Sequence, residues 1–235
     1  MIAWENVKPL LLRELREALG EKLLYVGLQG SYQRGEATED SDLDLVVIVE
    51  ELSVRELTLY RQAVDQMEWR DKACGFICGR RELERWPSYE RFQLLMDTRD
   101  WFGSLAALLP QPERRDIEQS VRNQCAALYH RLCHQYLYER KGGIQDLSSL
   151  SSSYKSAFFI LQAQYYLTKG IYPPSRPALL RLLEEDGLSG PWTQARRMMQ
   201  TALTWNPAPD SSPDRIYEER FALLFDWCSR LLREG

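Results

Sequence analysis

Leu23-Leu24-Tyr25-Val26-Gly27-Leu28-Gln29-Gly30-Ser31, ten further residues, then Asp42-Leu43-Asp44 running into Leu45-Val46-Val47-Ile48-Val49 is the stretch that decides the fold. Both apolar runs are short and bounded by turn formers, which predicts two buried strands. The first ends on Gln29-Gly30-Ser31. There Gly30 lets the backbone come close to a ligand, and Ser31 can cap a short helical turn whose free N–H groups would hold phosphate. Asp42 and Asp44 stand at strand spacing. Side chains alternate across a strand, so both carboxylates share one face while Leu43 and Leu45 take the other. Carboxylates held this close repel unless a cation lies between them. Magnesium suits the place, because it takes hard oxygen ligands and is usually bound by one or two carboxylates plus substrate phosphates. A Gly-Ser turn or a Ser-Asp pair alone is common in caps and loops. The whole succession within Tyr25 to Glu50 is far more specific.

Read without a gap, Leu28-Gln29-Gly30-Ser31-Tyr32-Gln33-Arg34-Gly35-Glu36-Ala37-Thr38-Glu39-Asp40-Ser41-Asp42-Leu43-Asp44-Leu45 resembles the signature of the DNA polymerase β-like nucleotidyltransferase superfamily. The minimal nucleotidyltransferases and the aminoglycoside adenylyltransferases are the nearest groups, and the resemblance covers roughly the first 110 residues. It implies a small mixed sheet with helices on one face. It also implies transfer of a nucleoside monophosphate, AMP from ATP in the expected case, to a hydroxyl with pyrophosphate leaving. Two magnesium ions are expected to bridge Asp42, Asp44 and the triphosphate, with Gly30 and Ser31 on the phosphates; such clamps hold their ions roughly 3.5–4 Å apart.

The resemblance further implies a third carboxylate on a neighbouring strand that helps activate the acceptor. The strand expected at Ala73 to Cys78 contains no acid. The role is therefore expected of Asp97, closing an expected strand from Phe92 to Met96, with Asp71 or neither as alternatives. Ser41 either donates to a phosphate or caps its turn. Lys155 corresponds to a basic residue that reaches the triphosphate in the resembling enzymes, or it is a snorkelling surface side chain. Arg34 and Glu36 are expected to pair and stiffen the loop. His130, Cys133 and His134 lie at helical spacing, but zinc would want a fourth ligand and none is near in sequence.

Composition sets the wider frame. At 235 residues, 44% of them hydrophobic, the chain can bury one large core or two small ones. No apolar run reaches membrane-spanning length and the N-terminus lacks the pattern of a signal peptide, so a cytoplasmic location is expected. Five cysteines without framework spacing predict reduced thiols. Residues 1–110 hold 14 Lys/Arg against 20 Asp/Glu, and residues 111–235 hold 16 against 14. Neither half is a basic platform, which disfavours nucleic acid as a partner and leaves a small molecule or a protein as acceptor.

An amphipathic helix through Val7, Leu11, Leu15 and Leu19, stopped by Gly20, precedes the first strand. After the second strand, Ser53 and Glu56 predict a capping box and a helix running to about Trp69. A strand over Ala73 to Cys78, a short helix over Arg81 to Trp86 and the strand ending at Met96 complete a domain spanning 1–110. Pro110-Gln111-Pro112 marks the boundary to a helical domain over 111–235. There Ile117, Val121, Cys125, Leu128, Leu132 and Tyr136 form one core stripe, and Tyr154, Phe158, Leu161 and Tyr165 another. Ser175 starts a further helix, and two more are expected at 191–204 and 213–233. The expected fold is thus α+β: a mixed-sheet domain followed by an all-α bundle.

Three functions fit: AMP transfer to a small hydroxyl compound such as an aminoglycoside, AMP transfer to a protein in the manner of an antitoxin, or an inactive relative that only binds nucleotide.

Overall fold

The computed structural model describes residues 2–187, 189–205 and 212–234. The chain divides into two compact units, Met1–Pro112 and Glu113–Gly235.

In the first unit, helix α1 (Trp4–Leu19) buries Leu11, Leu15 and Leu19 and stops at Gly20, whose positive φ of 57° suits the residue without a Cβ. Strand β1 (Leu23–Gln29) leads into the short helix α2 (Gly30–Arg34), and strand β2 (Leu43–Val49) returns antiparallel to β1. Helix α3 (Val54–Asp65) opens with the expected capping box: Ser53 accepts from Arg55 N–H, and Glu56 accepts from Ser53 N–H at 3.1 Å. Strand β3 (Ala73–Gly79) lies parallel to β2 and is followed by α4 (Arg80–Glu84).

The next element corrects an expectation. Residues expected as the strand Phe92–Met96 belong to helix α5 (Ser88–Met96), and the last strand is β4 (Arg99–Phe102), antiparallel to β1. Pro87 opens α5, and Gln93, Leu94, Leu95 and Met96 are strong helix formers, whereas Trp101-Phe102 before Gly103 suits a strand end. Helix α6 (Leu105–Leu108) closes the unit.

The sheet has the order β3-β2-β1-β4. One face, carrying Val26, Leu28, Leu43, Leu45, Val47 and Val49, packs on α1 and α3. The other carries Tyr25, Val46, Ile48 and Cys78 and is covered by Leu83, Leu105 and Leu109 from α4, α6 and the segment after it. Helices therefore lie on both faces, more than the single layer the resemblance implied.

The second unit consists, among the described residues, of α7 (Arg114–His134), α8 (Ile144–Lys169), α9 (Arg176–Glu185), α10 (Pro191–Leu203) and α11 (Pro213–Glu234). Ser175 caps α9 by accepting from Ala178 N–H. The expected α7 stripe is buried from Ile117 to Leu132, but Tyr136 is 39% exposed. Gln135–Glu139 form a π turn, and Tyr136 within it still packs its ring against Phe221 of α11, centroids 4.7 Å apart, at the stripe's less covered end. No described helix is long and apolar enough to cross a membrane.

Candidate active site

The site is built where β1 ends and β2 begins. Alternation along β2 sends Leu43 and Leu45 into the core against α1 and α3, which leaves Asp44 on the opposite face with Val46 and Ile48. Asp44 is half-buried, and Asp42, one residue ahead of the strand, is exposed. Neither carboxylate forms an ion pair among the described residues.

Gly30 fixes how close the two strands' ends come. Its φ is 73°, and a Cβ built there would lie 1.8 Å from Asp44 Oδ2, so any side chain would strike the carboxylate. The head of α2 is thus pressed against Asp44. Ser31 does not cap this helix as expected. Gln29 occupies the cap position and no side chain bonds the helix start, so the early N–H groups lack the usual internal partner. Ser31 sits inside the first turn, and its carbonyl accepts from Glu36 N–H at 2.9 Å.

Strand register supplies the neighbours of Asp44. Gln29 lies opposite it on β1 and Cys74 beside it on β3. Adjacent paired residues project to the same face. Cys74 is exposed, and partial desolvation, followed by the charge of Asp44 and a hydrogen bond to it, pushes the thiol pKa upward. Cys74 therefore stands where a third acid on the neighbouring strand would stand. On the far side of β1, Asp100 pairs with Gly27 and accepts from Tyr25 Oη at 2.7 Å. Gly27 makes this bond feasible, since a Cβ there would lie 2.2 Å from the Tyr25 hydroxyl. Burial and then the Asp100 bond push the tyrosine pKa far up, so Tyr25 remains the donor.

Asp97 does not sit as expected. It caps the C-terminus of α5 instead of closing a strand, is only 2% exposed, and accepts from Gln93 Nε2 at 3.4 Å. The cleft-facing strand end that recommended it does not exist. Asp71 is exposed and bonded by Arg70 at 3.3 Å. Ser41 Oγ accepts from Thr38 N–H at 2.8 Å, the turn-capping alternative. Arg34 and Glu36 pair at 3.2 Å as expected. Lys155 is exposed on α8, in the second unit. His134 contacts Glu139 at 3.2 Å, and no group of three His, Cys, Asp or Glu arranged for a metal occurs among the described residues.

Sequence reasoning missed Cys74 and Asp100. Setting the seven-residue run 73–79 parallel to 43–49 would have found the first; recognising Arg99-Asp100-Trp101-Phe102 as the last strand would have found the second.

A paired acid at a strand head, pressed on a glycine-led helix start in a mixed sheet, belongs with nucleotidyl transfer, and residues 11–95 match the nucleotidyltransferase domain family. The likeness to a nucleotidyltransferase domain takes in β1, α2, β2, α3 and β3, the elements that build the site. The protein adenylyltransferase MntA of Thermococcus cleftensis is 44% identical over 55 residues, 22% of this chain and 54% of that protein. The chain thus spans about half the length of the curated relative it matches. The crystal structure of spectinomycin adenyltransferase AAD(9) from Enterococcus faecialis with ATP and spectinomycin aligns with a TM-score of 0.62 and 15% identity, covering 99% of this chain and 100% of that one. That is a likeness of fold.

Proposed function

We propose that this protein transfers AMP from ATP to a hydroxyl of a small polar acceptor such as an aminoglycoside, in the cytoplasm. The observation that carries the reading is the contact of Gly30 with the Asp44 carboxylate, which brings phosphate donors and acidic oxygens to one point. The acceptor oxygen attacks the α-phosphorus, the bond to the bridging oxygen breaks, and pyrophosphate leaves in line with the electron pair. The acceptor's proton passes to a carboxylate of the same face.

Asp42 and Asp44 would hold magnesium, for which two hard carboxylates left without a cation are a fitting donor set. Bound there, the metal would offset charge on the attacking and leaving oxygens. The N–H groups of Gly30 and Ser31 bind phosphate oxygens. Ser41 shapes the loop that delivers Asp42. Asp100, held by Tyr25, faces the acceptor and favours hydroxyl or ammonium donors. The likeness of fold to a spectinomycin adenyltransferase supports the small-molecule acceptor.

Incubating the full chain with ATP, magnesium and a panel of spectinomycin and aminoglycosides should release pyrophosphate, and Asp42→Asn or Asp44→Asn should each remove it. ATP binding with no turnover on any acceptor would leave a nucleotide-binding relative instead. A second reading, AMP transfer to a partner protein, draws on the 55-residue identity with a protein adenylyltransferase. Radiolabel moving from α-labelled ATP onto a protein band, with the antibiotics inert, would select it.

A further inference from the structure

In the second unit, Cys125 on α7 and Cys228 on α11 face each other with their sulfurs 3.2 Å apart. Each also reaches the other's backbone: Cys125 Sγ donates to the Cys228 carbonyl at 3.5 Å, and Cys228 Sγ to the Cys125 carbonyl at 3.3 Å. This reciprocal contact means that both main chains, not only two flexible side chains, approach closely. Both residues are 0% exposed and both thiols are free. To reach a disulfide's S–S length of about 2.05 Å, the sulfurs need close by only roughly 1.2 Å.

A cavity of about 840 Å³ has Cys125, though not Cys228, in its lining. Cys125 stands in the cavity's wall beside Leu167, Trp192 and Leu231 but is fully buried, so a small oxidant reaches its sulfur when that wall opens locally. Among the described residues this is the one pair of cysteines in sulfur contact.

We propose that Cys125 and Cys228 are a dithiol modification site, which a peroxide closes into a disulfide that fastens α11 to α7. One sulfur, as thiolate, attacks a peroxide oxygen; the O–O bond breaks, hydroxide leaves and a sulfenic acid forms. The second thiol attacks that sulfur and displaces its oxygen as water. Together the thiols lose two electrons and two protons, and the peroxide is reduced to two waters. In the reducing cytoplasm the pair rests as thiols, and cytosolic disulfides, where they occur, are usually transient and redox-sensing.

The test oxidises the reduced full chain with hydrogen peroxide, alkylates the remaining thiols, and maps the digest by mass spectrometry. The expected result is a cross-linked peptide pair containing Cys125 and Cys228, lighter by two hydrogens and released by dithiothreitol. The oxidised protein should also unfold at a higher urea concentration, because the link spans 103 residues and restricts the unfolded chain. Cys125→Ala and Cys228→Ala should each lose the cross-link and the shift, whereas the double variant Cys74→Ser, Cys133→Ser should keep both. Recovery of both cysteines alkylated, or oxygen added to either without a cross-link, overturns the proposal. Should the alanine variants fail to fold, the map of the native sequence still decides.

Discussion

At the end of the sheet where β1 begins and β2 finishes, Glu56 is buried but answered: Lys22 Nζ lies 2.7 Å from its carboxylate, and Ser53 donates to it through both N–H and hydroxyl. At the opposite end, where β1 finishes and β2 begins, Asp42 and Asp44 have no such cation among the described residues. One end thus neutralises its carboxylate, while among the described residues the other leaves two without an ion pair. A fold has no use for adjacent unanswered charges, since their repulsion lowers stability. The magnesium proposed for this end would supply the missing cation. The apolar content differs in the same sense: Tyr25, Val46, Ile48 and Cys78 are sealed beneath Leu83 and Leu105 at one end, while Cys74 and Asp100 are exposed at the other.

If this division is real, substitutions at the two ends should fail in different assays. Asp44→Asn should lower AMP transfer by at least about 10³-fold, roughly 4 kcal/mol of transition-state stabilisation, while leaving the melting temperature unchanged or higher because a like-charge contact is relieved. A large drop in melting temperature would break the comparison. Ile48→Ala at the sealed end should do the reverse. Its side chain is fully buried, and removing it should cost about 2–5 kcal/mol in urea unfolding, with transfer per folded molecule little changed.

Much of the open end was legible in sequence because its signals are local. There Gly30 meets Asp44 at the head of β2, and at the sealed end the Ser53–Glu56 capping box forms; each signal lies within a few residues. What could not be read is non-local. Lys22 answers Glu56 across 34 residues, Tyr25 reaches Asp100 across 75, and the parallel register alone brings Cys74 to Asp44. The misread segment, 88–102, failed for a different reason: a short apolar run suits a helix or a strand equally, and only the following Asp-Trp-Phe revealed where the strand was. Tyr136 kept its contact with α11 through Phe221 but is only partly covered, because the end of a helical stripe is not marked by spacing.

Cys74 gives the comparison a finer edge. If the open end is a metal site short of one acid, Cys74→Asp should complete it, since that position adjoins Asp44 on the same face. The expected gain in transfer is roughly tenfold, about 1.4 kcal/mol. Without magnesium the variant should be less stable by about 1 kcal/mol, as a third like charge joins the cluster, and added magnesium with ATP should restore its melting temperature. Stability lost without recovery on adding metal would mean that the face of Asp44 and Cys74 does not receive the cation.

The smallest effect tests the sealed end by pH. Hydrogen bonding from Lys22 first, and from Ser53 next, lowers the Glu56 pKa to about 2, against about 4.3 for an unperturbed glutamate in the unfolded chain. A carboxyl with a depressed folded pKa contributes its full stability above the unfolded value and loses it as pH falls through the folded one. Stability should therefore decline between about pH 4.5 and pH 2, and Glu56→Gln should flatten part of that decline. Lys22→Ala should flatten it too, because the leading cause of the shift is gone. Neither change should alter AMP transfer at neutral pH, where Glu56 is ionised and remote from the acidic pair; if transfer fell with Glu56→Gln, the two ends of the sheet would not be independent.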